Sequence, residues 1–260
     1  MNIPYQNMEI EQIYTQLLSD PHTSIAICSA EEGEGVTSLA LALAQRNLLA
    51  GHSTLFVDLN LYHPAIKSSL AIDSTETIPN KLQAPLQVKV HQKENENVTN
   101  NNMNSLTEPQ LVSNSESPIV INGIVAPTKR EHIMKLRQPG VLEKHINQWL
   151  EQYDTVIIDT SPLNRLNSQN IPAERVAAAC DGSILMVLAG QTSEDSIATA
   201  LTKLNNANAQ LLGCVFNDRD NPKLKDELLR ETQRLEPLFS WLSKPLKKII
   251  NKSRLLTLEV

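Results

Sequence analysis

The sequence predicts an α/β fold, a doubly wound and mostly parallel sheet with helices on both faces. Three observations lead there. Short apolar runs rich in β-branched residues recur along the chain, each ending in polar or acidic residues, which is the pattern of strands buried on both faces. Helical periodicity fills the gaps between them, and strands alternating with helices imply parallel pairing. The length of 260 residues suffices for one large domain with a full core.

The elements follow in order. "SIAICSA" (24–30) reads as the first strand, and "TSLALALAQRNLLAG" (37–51) as a helix ended by Gly51. "STLFVDLN" (53–60) is a second strand. The regular pattern then fails between about Ala71 and Ser117, where "HQKENENVTNNNMNSLTEPQLVSNSES" is Asn-rich and aperiodic. Such a tract cannot bury enough apolar area to offset its ordering entropy, so a disordered insert is expected at about 71–117. "SPIVINGIVAP" (117–127) returns to the sheet, "VLEKHINQWLEQY" (141–153) is helical, and "DTVIIDTS" (154–161) and "GSILMVLAG" (182–190) are strands. The helix "SEDSIATALTKLNNAN" (193–208), with its Ser/Asp-rich start, and the strand "AQLLGCVFN" (209–217) complete the pattern.

Residues 1–236 are thus expected to form a single domain, followed by a separate segment over 237–260. From Pro237 to Leu258 there is no acidic residue, while Lys244, Lys247, Lys248, Lys252 and Arg254 are basic. Phe239, Leu242, Leu246, Ile249, Ile250 and Leu256 share one helical stripe with Trp241 at its edge. A basic amphipathic helix of this kind either docks on the domain with a solvated basic face or lies on an anionic membrane surface.

Composition narrows the function classes. A net charge of −6 and a pI near 5.6 give no basic field, so nucleic acid is not expected as a partner. Cys28, Cys180 and Cys214 lack metal-ligand spacing and are expected as buried small hydrophobes in a reducing compartment. The N-terminus lacks a basic start and an apolar core, and no run approaches the ~18 apolar residues of a membrane span. A cytoplasmic protein is expected, peripheral at most.

The chemistry gathers at "SAEEGEGVTS" (Ser29–Ser38), set between the first strand and the first long helix. Backbone N–H groups and a helix N-terminus in that context face a chain of phosphate oxygens. Gly33 and Gly35 permit a close-approaching backbone and Thr37 stands where a hydroxyl binds Mg²⁺, with Glu34, Val36 and Ser38 completing the candidate nucleotide-binding segment. The lysine of such loops is absent, its position held by Val36. Asp58 and Asp159 end two strands and are candidate catalytic carboxylates, with Asp159 and Thr37 the candidate Mg²⁺ ligands. Either aspartate alone reads equally as the cap of the following turn.

The loop, "LFVDLNLYHP", "QWLEQYDTVIIDTSP" and "DGSILMVLAGQTSEDSIATALTKLNNANAQLLGCVFNDRD" together resemble the bacterial tyrosine kinases of capsule and exopolysaccharide synthesis. These belong to the deviant-Walker P-loop ATPases, alongside the partition and septum-site proteins. The resemblance covers roughly residues 10–70 and 117–220. It implies a P-loop NTPase-like fold, ATP or ADP with Mg²⁺ as cofactor, and Asn217 near the adenine. It further implies a membrane polysaccharide co-polymerase or export protein as partner, with location at the inner membrane and homo-oligomers as options.

Departures from the family pattern bear on activity. Val36 replaces the phosphate lysine and Glu31 the signature lysine near the loop start, while Asn60 and Tyr62 stand where an acid and an arginine are usual. The last tyrosine is Tyr153, so no C-terminal tyrosine cluster is available for autophosphorylation. Each lost ammonium removes charge-assisted hydrogen bonds of roughly 1.5–3 kcal/mol, and each ~1.4 kcal/mol is a factor of ten in rate. A catalytically impaired kinase relative with weakened or lost nucleotide binding is the expectation. Two alternatives stay open: an active partition-type ATPase that borrows a lysine, and a nucleotide-free scaffold.

Overall fold

The computed structural model describes residues 3–18, 24–66, 109–114, 117–165 and 169–219, together with Leu228, Thr232, Lys248 and Ile250. Most of the 71–117 tract and the helix expected over 237–260 lie outside the described residues.

The strands are β1 (Ser24–Ser29), β2 (Thr54–Leu59), β3 (Gln110–Asn114), β4 (Ser117–Ile124), β5 (Thr155–Thr160), β6 (Gly182–Leu188) and β7 (Leu211–Asn217). The helices are α1 (Met8–Leu17), α2 (Val36–Leu49), α3 (Arg130–Leu136), α4 (Val141–Leu150), α5 (Ala173–Ala179) and α6 (Glu194–Asn206). One sheet runs in the order β3-β4-β2-β5-β1-β6-β7. From β4 to β7 every neighbouring pair is parallel, and β3 alone is antiparallel to its neighbour β4. The expected α/β doubly wound fold is therefore the observed one.

Alternation along the strands sorts the core into two apolar layers. Ala26 and Cys28, Leu55 and Val57, Val156 and Ile158, and Leu185 and Val187 face one layer, which α3, α4, α5 and α6 cover through residues such as Leu136, Ile146, Val176 and Leu204. The residues between them, Ile25, Ile27, Phe56, Ile157, Ile184 and Met186, face the other layer, covered by α1 and α2 through Ile10, Leu39 and Leu43. A strand alternates with period two, so each central strand feeds both layers and is apolar over its middle positions. β1, β2, β5 and β6 are buried at every position.

The same alternation fixes the two strand-end carboxylates. Asp58 shares the parity of Phe56 and Asp159 that of Ile157, so both turn toward the layer that α2 covers. In the β2–β5 register the two aspartates are direct partners. Neighbouring strands lie about 4.8 Å apart, so two buried carboxylates stand side by side.

Two expectations are revised. The end of the tract assigned to a disordered insert forms β3, an edge strand that pairs with β4. An outer antiparallel strand has its ladder on one side only and need not be apolar, so a polar composition concealed it. Cys28 and Cys180 are buried as expected, but Cys214 is exposed. It sits on β7, the last strand of the sheet, where Phe216 on the same side is 68% exposed. Burial pushes the Cys28 thiol up to about 12. Among the described residues, no helix is long and apolar enough to cross a membrane.

Candidate functional site

The loop between β1 and α2 lies at the carboxyl ends of β1, β2, β5 and β6, where parallel sheets gather ligands. Gly33 and Gly35 adopt φ of 76° and 103°, in the left-handed region. At Gly35 a Cβ would meet the Asn217 amide nitrogen at 2.8 Å and the Met186 methyl at 3.1 Å. The backbone thus needs glycine for conformation and for space. Gly35 is the N-cap of α2, no side chain caps this helix, and its first turn carries no acidic residue. A long helix opening without a capping anion leaves its partial positive charge to a ligand.

Thr37, in that first turn, donates its hydroxyl to Asp159 Oδ2 at 2.5 Å. Asp159 is fully buried, and no described group hydrogen bonds to its other oxygen, Oδ1. Burial first, and then the negative charge of Asp58, push its carboxyl well above the ordinary range, while the Thr37 hydroxyl pulls it down. A buried carboxylate oxygen without a donor is costly unless something positive completes it. These two residues fit Mg²⁺, which is held by one or two carboxylates together with phosphate and water rather than by an all-protein cage. No cluster of three His, Cys, Asp or Glu suited to a metal occurs among the described residues.

Asp58 is also fully buried but is differently engaged. Its Oδ1 accepts the Asn60 N–H at 3.0 Å, and its Oδ2 accepts those of Ala65 at 2.7 Å and Ile66 at 3.2 Å. Burial pushes its carboxyl up to about 6 against those three donors. Asn60 accepts from the Tyr62 and His63 N–H groups at 3.2 Å each. Both side chains therefore shape the turn after β2.

The structure separates the remaining loop residues. Glu34 is buried and turned inward, its carboxylate accepting the Ala30 N–H at 3.0 Å and the Thr192 hydroxyl at 2.5 Å. Burial pushes that carboxyl up while these donors oppose the shift. Glu34 is thus an inner brace joining the loop to the β6–α6 turn. Val36 is 7% exposed and packs in the apolar layer beside α2. Asn217 donates its amide to the Glu34 carbonyl at 2.9 Å. Its amide oxygen accepts the Arg219 N–H at 3.1 Å. The last strand is thereby laid against the loop backbone.

Glu31 is held by Ser196 at 3.1 Å, Asn164 at 3.4 Å and Arg165 at 3.5 Å. Arg165 also reaches Glu32 at 3.5 Å, and Glu32 meets His63 at 3.4 Å. The segment after β5 joins the loop start through backbone bonds as well, Leu163 N–H to Ser29 O at 2.8 Å and Asn164 N–H to Ala30 O at 3.0 Å. Thr192, Asn164, Arg165 and Arg219 escaped the reading of the sequence. "TSPLNR" and "FNDR", the residues just past two strand ends, were the available signal.

The tyrosine-protein kinase CpsD of Streptococcus agalactiae is 26% identical over 200 residues, covering 74% of this chain and 74% of the relative. YwqD of Bacillus subtilis, also a tyrosine-protein kinase, is 23% identical over 197 residues, covering 75% of this chain and 72% of the relative. Over most of its length the chain is thus similar to bacterial tyrosine-protein kinases. The kinase domain of the Escherichia coli tyrosine kinase ETK shares the fold, with a TM-score of 0.53 at 14% identity, covering 85% of this chain and 83% of that one. The cobyrinic acid a,c-diamide synthase of Mycobacterium smegmatis, solved with an ATP analog and magnesium, has a TM-score of 0.51 at 18% identity over 82% and 80% of the two chains. At such identities these structures establish the shared fold. No family model matches the chain.

Proposed function

We propose that the chain is a catalytically impaired member of its kinase family, one that holds a Mg²⁺–nucleotide weakly and transfers no phosphoryl group. The observation that carries this reading is the contrast between positions 36 and 37. Thr37 remains paired with a buried Asp159 whose second oxygen has no described donor, while Val36 sits in the apolar layer where the family's lysine would reach phosphate. The metal side of the site is kept and the ammonium side is gone. The N–H cradle, the uncapped α2 and the Thr37–Asp159 pair would bind and orient the phosphates, and Mg²⁺ would supply charge neutralisation there. The transition state, with charge spread over the phosphoryl oxygens, depends most on the missing cations.

By its family this protein would serve in capsular or exopolysaccharide biosynthesis, as a regulatory subunit on the cytoplasmic face of a membrane polysaccharide co-polymerase or export protein. The 237–260 segment, basic and apolar by sequence, would add contact with an anionic membrane. An active ATPase that borrows a lysine from a second copy is disfavoured. The position from which the family's signature lysine acts is Glu31 here, tied to Ser196, Asn164 and Arg165 of its own chain.

The test is turnover by the full chain. Phosphate release and phosphotyrosine formation with Mg²⁺–ATP are expected at background, while Mg²⁺–ADP raises the melting temperature. Robust hydrolysis or autophosphorylation overturns the impaired reading. A melting temperature unmoved by ATP or ADP with Mg²⁺ supports a nucleotide-free scaffold instead.

A further inference from the structure

The β7 side of the sheet carries exposed apolar residues that the nucleotide site does not use. We propose that β7 and α6 form a docking face for a second copy of this chain, joined across a two-fold axis so that β7 pairs antiparallel with its own counterpart. The inference is independent of the nucleotide reading and requires no ligand.

β7 is the last strand of the sheet and pairs with β6 on one side. Among the described residues its other edge meets no strand. Exposed edges are ordinarily blunted by charge or proline, but β7 reads "LLGCVFN". Its register with Leu185 and Val187 turns Cys214 and Phe216 toward the face that α6 covers. Both are exposed there, Phe216 at 68%. On α6, Ala198, Leu201, Thr202 and Asn205 follow the i, i+3, i+4, i+7 spacing of one helical stripe, and all four are exposed. A groove lined by Leu201, Leu204, Asn205, Ala209 and Leu211 runs between that stripe and the start of β7.

Charge selects the occupant. From Ser196 to Asn217 the one charged residue is Lys203, in a chain of which 20% is charged. Its ammonium turns away from the stripe, donating to the Leu163 carbonyl at 2.7 Å and to Asn164 Oδ1 at 3.3 Å. A two-fold contact sets a patch against the same patch. In a molecule of net charge −6, an uncharged face meets itself without the repulsion that an acidic one would bring. Depletion of charge around an exposed aromatic is also the composition of interface cores. The spacing agrees. With β7 about 4.8 Å from its copy, the two α6 helices, each crossing over from β6 to β7, stand about 10 Å apart, close to the roughly 8–10 Å at which helices pack. Full overlap of the two strands centres the axis on Cys214, opposite its own copy. Each phosphate loop, tied to the carboxyl end of β7 through Asn217, then lies away from the axis.

The test is sedimentation velocity of the full chain across micromolar concentrations, without nucleotide and with Mg²⁺–ATP, alongside mild oxidation by dioxygen with copper–phenanthroline as catalyst. A dimer with the same dissociation constant is expected in both conditions. Leu201→Glu and Phe216→Glu bring like charges toward the axis and are each expected to weaken the dimer tenfold or more. Both side chains are exposed, so circular dichroism spectra should remain those of the parent. Oxidation is expected to join two Cys214 thiols in one disulfide, their two protons and two electrons passing to oxygen, because opposed Cα atoms in an antiparallel pair lie about 5 Å apart. Cys214→Ser should lose the cross-link and keep the dimer. If one glutamate variant fails to fold, the other and the cross-link still decide. A monomer throughout overturns the proposal and leaves the face to a different protein. A dimer that forms only with Mg²⁺–ATP, an assembly larger than two, or a dimer indifferent to L201E and F216E and not joined through Cys214 overturns it as well.

Discussion

Thr37 and Asp159 are joined by a 2.5 Å hydrogen bond that closes one oxygen of a fully buried carboxylate and leaves the other without a described donor. An isolated charge in that position opposes folding until a cation completes it. Asp159→Asn keeps an acceptor for Thr37 and removes the charge. The ligand-free variant is expected to melt several degrees above the parent at pH 8, a shift of roughly 2–4 °C per kcal/mol for a domain of this size. Mg²⁺-dependent nucleotide affinity is expected to fall at least tenfold. Paired melting curves and titrations check both.

Stability should fall as pH rises through weak acidity. Asp58 is pushed up from 3.8 to about 6 and Asp159 is pushed upward too, so between those values the folded state binds more protons than the unfolded one. The favourable contribution of Asp58 is complete below about pH 4 and is lost as pH passes 6, and that of Asp159 is likewise lost as pH rises. From Asp58 alone the full change is on the order of 3 kcal/mol, one pKa unit being ~1.4. Glu11 and Asp154, held below their ordinary values by Arg46 and Ser53, act in the opposite sense only at lower pH. Urea midpoints should therefore be higher at pH 5 than at pH 8, and D159N should flatten the difference.

Gly35→Ala should be severe. The new Cβ meets Asn217 at 2.8 Å on a backbone with φ of 103°. Strain of that kind costs roughly 1–3 kcal/mol, and the amide that holds the Glu34 carbonyl must move as well. A drop of roughly 5–10 °C in melting temperature and loss of nucleotide binding are expected, whereas Gly51→Ala, with no atom within 4 Å of its Cβ, should cost only the backbone strain at φ 92°.

Val36→Lys separates binding from turnover. Its side chain leaves an apolar layer, at a cost of about 1 kcal/mol. A restored ammonium on phosphate is worth roughly 1.5–3 kcal/mol, so Mg²⁺–ADP affinity is expected to rise tenfold to a hundredfold. Phosphoryl transfer should stay at background, since Glu31 still holds the signature-lysine position. Titration alongside a phosphate-release assay distinguishes the two effects.

The central sheet was legible because its strands carry their own signal. β1, β2, β5 and β6 each carry a run of at least three consecutive apolar residues and are buried at every position, and period two then places Asp58 and Asp159 on one side. The seven-residue helices α3 and α5 span about two turns, too little for a period to declare itself. β3 is polar because an edge strand tolerates it. The inward turn of Glu34 depends on Thr192, which lies 158 residues away, and Arg219 meets Gly33 across 186 residues. Contacts of that reach are set by topology, which assembles strand ends that no local window contains.

The Asn217 amide on the Glu34 carbonyl spans 183 residues of sequence, and this gives the loop a place in time. During synthesis the N-terminal elements emerge first, and domains take shape as their parts become available. Met186 and Asn217, the atoms Gly35 packs against, appear only after five of the seven strands have been made. A growing chain therefore owns the sequence of its phosphate loop long before it owns the shape. The loop's packed shape is acquired last, when the final strand docks, so a truncated or stalled chain carries the loop sequence without its supports.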